Sequence, residues 1–442
     1  MGLYLSNGGY RQSNTKKRMN NNTNFSSFIA ITTAYWAFML TDGALRMLVL
    51  LHFHTLGISA LQLAYIFLIY EFMGVITNLS AGFLAKRFGL KSTLYAGLLL
   101  QIFSLLMLSL LQSTWSTVSM VIYATLVQAL SGIAKDLTKT SAKSSVKILA
   151  PQNSNDILFK WVARLTGSKN AIKGVGFFVG CALIAFVGFS SGLIALGVIL
   201  FVIFLTLIIL MPPRLPEGIK STKFKKVLSK DKKINSLSLA RVFLFGARDV
   251  WFVVGIPLFF FEMLSDGSKD ADRAVFFIIG SFMALWIIFY GFVQTWAPSL
   301  FKNISDTVLI RQAVYWICVL TLVPLLLAAA LWILEPFSNQ ILMITVIIGL
   351  LIFGGVFAIN SSLHSFLILH FTSTERASLD VGFYYMSNAS GRLIGTLLSG
   401  LSFQIGGFLL CILVSAFLLI FGLISTLLLR RATTASKIGM HL

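Results

Sequence analysis

The chain has 442 residues, of which 57% are hydrophobic and only 11% charged, with a mean hydropathy of +0.88. A soluble globular chain is nearer a quarter charged, which excludes a soluble enzyme or binding domain; the alternating ten-residue pattern of a membrane β-barrel is absent too. The net charge of +20 lies in short stretches between apolar runs, as the positive-inside rule expects of a membrane protein, and no basic region is long enough to form a nucleic-acid-binding domain.

Residues 1–27 are rich in Asn, Ser and Gly and carry Arg11, Lys16, Lys17 and Arg18. The apolar run that follows is a full span, so no cleavable leader is expected, and the tail reads as disordered and cytoplasmic. The first span, 28–52, contains AYWAFMLTDGALRMLVLLHF at 34–53. Asp42 and Arg46 stand mid-span, four residues apart and therefore on one helix face. A charge at that depth costs several kcal/mol unless it faces protein or a water-filled cavity. The helix is expected to line a polar path, the alternative being a structural pair between Asp42 and Arg46.

Further spans are expected at 61–84, 93–111, 116–134, 171–188 and 191–211, where Pro212 and Pro213 stop the sixth. The fourth leaves the membrane with Lys135, Lys139, Lys143 and Lys147, spaced by four and so forming one stripe. Lys135, Asp136 and Lys139 read as a vestibule; beyond Lys139 the stripe is expected to lie on anionic headgroups. Residues 160–173, KWVARLTGSKNAIK, form a basic amphipathic stretch with Trp161 as an interfacial anchor, expected as a surface helix leading into the fifth span.

A basic linker, 212–236, separates this half (28–211) from a second (237–431), with a cytoplasmic tail at 432–442. The second half has spans at 237–263, 273–296, 308–332, 341–369, 377–401 and 406–429. Lys and Arg fall on one side of this layout, which places both termini and the linker in the cytoplasm. The expected fold class is an all-α polytopic membrane protein with twelve transmembrane helices in two six-helix halves.

The halves echo one another. Gly43-Ala44-Leu45-Arg46 resembles Gly246-Ala247-Arg248, each beside an acid, Asp42 or Asp249. Ser168–Gly174 resembles Ser387–Arg392, which makes Lys173 and Arg392 counterparts. Same-order repeats imply an axis along the membrane normal and a substrate site between the halves, the arrangement of major facilitator transporters. In that fold the third, sixth, ninth and twelfth spans face lipid, and here their interiors carry no charge. The deep charges, Asp42, Arg46, Glu71, Lys173, Arg248, Asp249 and Arg392, all fall on the other eight.

Arg46, Arg248, Lys173 and Arg392 are therefore the expected ligands of an anionic substrate, since the guanidinium fork matches phosphate-like groups. Asp42, Glu71 and Asp249 are assigned to coupling or gating. Arg248 and Asp249, about 100° apart on a helix, are expected to be poor partners for one another. Cys181, Cys318 and Cys411 lie in three different spans without metal spacing, and His52 and His54 read as interfacial. No catalytic constellation and no cofactor motif is present, so the chain is not expected to be an enzyme.

The loop GFLAKRFGLK at 82–91 resembles the major facilitator loop motif, with Lys86 where that motif has an acid. The stretches 40–57 (LTDGALRMLVLLHFHTLG), 70–79 (YEFMGVITNL), 128–147 (QALSGIAKDLTKTSAKSSVK), 160–176 (KWVARLTGSKNAIKGVG) and 240–252 (ARVFLFGARDVWF) are similar to the organoarsenical efflux transporters of that superfamily, the ArsJ type. The resemblance implies a bacterial inner-membrane protein that exports 1-arseno-3-phosphoglycerate and so confers arsenate resistance. It also implies functional pairing with the glyceraldehyde-3-phosphate dehydrogenase that makes this ester. Separately, the protein is expected to be a monomer. The charge pattern alone leaves open an organophosphate–phosphate exchanger, which would use the same cations, and a drug–proton antiporter working through Asp42 and Glu71.

Overall fold

In the computed structural model, residues 7–149, 155–211, 231–301, 306–335, 338–372 and 377–438 are described. Every regular element among them is helical, as the bilayer requires of an unclosed chain whose backbone groups find no water. Among the described residues, eleven helices are long and apolar enough to cross a membrane, beginning with Ser26–Thr55. The last, Gly382–Thr433, has 52 residues. At 1.5 Å per residue it would be about 78 Å long, more than twice a bilayer core. It breaks at Gly406 and Gly407, the latter with φ 60° and ψ −156°, a backbone region open essentially to glycine alone. The chain thus crosses twelve times, in two six-helix halves.

Several helices outrun the spans expected for them. The first runs Asn7–Thr55, so the tail expected to be disordered is helical from Asn7. Extending a helix whose core is already packed fixes one residue per hydrogen bond, and polar sequence can follow. The fourth extends through Thr117–Leu149 and the fifth through Asn155–Phe186. The basic stretch at 160–173 is thereby one continuous helix with the fifth span, although the side chains of Lys160, Trp161, Lys147 and Lys86, like residues 212–230 of the linker, lie outside the described set.

The seventh span, Lys232–Leu264, contains a π turn at Trp251–Gly255. Widening a turn frees backbone amides, and here the Ser399 hydroxyl accepts from Val254 (3.1 Å) and Gly255 (3.2 Å). Within each half, glycines let the backbones touch. A methyl group on Gly176 or Gly180 would sit 2.4 Å from the carbonyl oxygens of Leu40 and Ala44 on the first span. The eleventh repeats this on the seventh: Gly391 against Val242 (2.2 Å) and Gly395 against Gly246 (2.5 Å).

These contacts fix the register of the repeat. Leu40 and Ala44 correspond to Val242 and Gly246, so Arg46 corresponds to Arg248, as the sequence echo suggested. Gly176 and Gly180 correspond to Gly391 and Gly395, so the counterpart of Lys173 is Asn388. Arg392 lies one helical turn away, which corrects the pairing of Lys173 with Arg392. Their motifs match locally, but the packing glycines sit at different offsets from the two cations.

The halves meet chiefly where the second span packs on the eleventh and the fifth on the eighth. At the end away from the basic loops, a methyl group on Gly400 would sit 2.4 Å from the Ala60 carbonyl oxygen, and the Leu61 amide donates to Gln404. Residues 41–51 of the first span and 249–260 of the seventh are buried without interruption, which seals that end. His52 stacks on Phe189 and His54 meets the edge of Phe261 there.

Candidate functional site

On the basic side of this seal lies a cavity of about 230 Å³ between the halves. Its lining comes from the first, second, fourth, fifth, seventh, eighth, tenth and eleventh spans. These are the eight expected to surround a path; the first, second, fourth, fifth, seventh and eleventh turn charged side chains to the cavity, and the eighth and tenth add Ile287, Tyr290, Gln294 and Ser365. Nine Lys and Arg side chains line it, against the carboxylates Glu71, Asp136 and Asp249. Asp42 stands behind the wall, so nine cations face four anions among the described residues, an excess of five.

The predicted residues form one alternating network across the halves. Glu71 from the second span, buried, accepts from Arg46 (2.7 Å) and also from Arg392 of the opposite half. Its other oxygen has Lys135 at 3.8 Å and no hydrogen-bond partner. Arg392 Nε donates to Asp249 (3.2 Å), whose second oxygen accepts from Arg248 Nε at 2.6 Å. Arg248 and Asp249 are therefore partners, contrary to expectation. Their Cβ atoms diverge, but the flexible arginine stem turns the guanidinium back. Asp249 in this way bridges Arg248 and Arg392.

Asp42 and Arg46 share a helix face but not a bond. Asp42 takes Lys173 Nζ at 2.6 Å and the Tyr70 hydroxyl, while Arg46 lies over the Phe67 and Tyr70 rings (5.1 and 5.3 Å) on its way to Glu71. The structural pair considered for them is replaced by bonds to other helices, Asp42 to Lys173 and Tyr70 and Arg46 to Glu71. On the fourth span, Asp136 accepts from Thr77 (3.0 Å), Asn78 (3.2 Å) and Lys139 (2.5 Å), and Lys135 sits over the Tyr70 ring at 4.0 Å.

Three lining cations were not singled out from the sequence as site residues. Lys143, expected on lipid headgroups, instead faces the cavity, with its ammonium 5.1 Å from the Tyr385 ring centre. It follows Lys139 by four residues, so a stripe that enters the cavity at Lys139 continues there. Lys169 precedes Lys173 by four, and Arg241 precedes Arg248 by seven; both spacings keep one helix face. That periodicity was the available signal. Arg241 is 4% exposed and donates to the Ser361 carbonyl and hydroxyl, both at 3.1 Å.

None of the three cysteines lines the cavity, and no cluster of metal-ligating side chains occurs among the described residues. The lining presents cationic hydrogen-bond donors and no thiol, the group a soft thiophilic centre would need.

No protein-family model matches the chain, and no curated protein matches it by sequence. Solved structures do match its fold. A POT family transporter in complex with 5-aminolevulinic acid aligns at TM-score 0.67 and 14% identity, over 90% of this chain and 94% of that one. The nucleoside transporter NupG aligns at 0.65 and 14%, over 92% and 99%. A D-xylose-proton symporter aligns at 0.66 and 12%, over 91% and 97%. The chain has the major facilitator fold over nearly its whole length.

Proposed function

We propose that this protein is a membrane transporter that exports a compact organic anion, with 1-arseno-3-phosphoglycerate as the substrate. The observation that carries the anion class is the cavity wall: nine cations against three lining carboxylates, with Asp42 behind them, at membrane depth, where an unneeded charge is costly. A cationic drug would meet repulsion there. The ester itself follows from the stretches that resemble organoarsenical exporters. The basic end is cytoplasmic in this reading, so the cavity lies on the side where the dehydrogenase makes the ester, and the protein sits in a bacterial inner membrane.

The network suggests how an anion is taken and released. Glu71 and Asp249 hold the forks of Arg46, Arg392 and Arg248. A phosphate-like group entering the cavity replaces those carboxylate oxygens with its own. Because Arg392–Glu71 joins the two halves, that replacement also loosens a tie between them, which couples binding to rocking of one half against the other.

The test is arsenate resistance in a sensitive bacterium carrying this gene, the dehydrogenase gene, or both. Protection is expected only with both. Protection by this gene alone, or flux of cationic dyes instead of the ester, would refute the assignment. An organophosphate exchanger would be revealed by efflux that requires phosphate on the opposite side.

A further inference from the structure

The deep cations each have a carboxylate, but Lys143, Lys169 and Arg241 have none among the described residues. We propose that these three form a second anion subsite, nearer the basic end than the arginine–carboxylate network, so that the substrate is a double-ended anion held at both ends. The inference rests on the reading of the chain as an anion transporter and deepens it.

Chain direction places all three side chains on the basic side of the network. The fourth span runs toward the basic end, so Lys143 lies beyond Lys135 by eight residues, roughly 12 Å of helix. The fifth and seventh run the other way, so Lys169 lies before Lys173 by roughly 6 Å and Arg241 before Arg248 by roughly 10 Å. Tyr384 and Tyr385, with ring centres 5.9 Å apart, link two of them: Arg241 lies 4.9 Å from the first ring and Lys143 5.1 Å from the second. The strongest electrostatic neighbours of Lys169 are the cations Lys143, Lys139, Lys173 and Arg392.

Arg241 marks the spot. It is buried, its Nε has no hydrogen-bond partner, and its surroundings are hydroxyls and ring faces. A buried guanidinium without a counter-charge is unfavourable, and an incoming anion supplies that charge. Two phosphate-type groups joined through three carbons are six bonds apart, roughly 7 Å when extended. Long Arg and Lys side chains close the remaining gap between the two levels, and a mono-anion reaches only one of them.

The experiment uses the full chain in nanodiscs of zwitterionic lipid and measures, by calorimetry, binding of propane-1,3-diol bisphosphate and of propyl phosphate. Wild type should prefer the bisphosphate by roughly tenfold or more, the worth of one further charge-assisted contact. Arg241→Gln and Lys169→Gln should each bring that ratio close to one. Among the described residues Lys169 makes no hydrogen bond or ion pair to lose, so its variant separates binding from folding. Equal affinities in wild type, or a ratio unchanged in both variants, would overturn the second subsite while leaving an anion transporter intact. Failure of wild type to bind either probe would overturn both readings. A preference that disappears in phosphatidylglycerol nanodiscs would identify a lipid headgroup as the occupant and also overturn the proposal.

Discussion

Glu71→Gln is the most informative single change, because it keeps the shape of the side chain and removes the charge at the centre of the network. Glu71 is only 1% exposed in its side chain and is held by Arg46 at 2.7 Å, by Arg392, and by Lys135 at 3.8 Å. Removing one partner of a buried ion pair costs about 3–5 kcal/mol of stability. If Glu71 competes with substrate for the two arginines, the same change should tighten anion binding. A hydrogen bond to a charged group is worth about 1.5–3 kcal/mol. At 1.4 kcal/mol per factor of ten, that is roughly ten- to a hundredfold in affinity. Turnover should fall, because no carboxylate is left to recapture the arginines when substrate leaves. The assay pairs calorimetric binding of a phosphate ester with exchange in proteoliposomes, and a melting curve reports folding. Glu71→Asp, which keeps the charge, should retain part of the turnover. A folded Glu71→Gln protein with unchanged affinity and unchanged exchange would show that the competition does not exist.

Three further outcomes are expected. Arg46→Lys and Arg248→Lys should each impair arsenate resistance by an order of magnitude or more, because a point charge loses the planar fork; full resistance in either would remove that arginine as a ligand. Efflux should be electrogenic: a dianion gains on the order of 4–5 kcal/mol per 100 mV of inside-negative potential, so a potassium–valinomycin potential should accelerate it. Efflux that follows only an imposed pH gradient would instead indicate electroneutral exchange. Gly180→Ala and Gly395→Ala should each destabilise by about 1–3 kcal/mol through overpacking, since the added methyl would meet backbone oxygen at 2.4 and 2.5 Å; unchanged melting would mean that the helices part easily.

Much of this protein could be read from sequence because membrane energetics act locally. A span announces itself by twenty apolar residues, and a charge inside one announces a polar face, whatever the other helices do. Hence the twelve crossings, the two halves and the eight lining helices were legible, and so was the correspondence of Arg46 with Arg248. Partner choice was not. Whether Asp42 bonds Arg46 or Lys173, and whether Asp249 bonds Arg248, depends on what the second, fifth and eleventh helices bring to the same depth. That depth is set by glycine contacts such as Gly176 on Leu40 and Gly391 on Val242, and a shift of one turn moves a side chain by about 5.4 Å. The same register makes Asn388, not Arg392, the counterpart of Lys173. It also carries Lys143 into the cavity instead of onto the lipid, since only the packed bundle decides which face of a helix is inside.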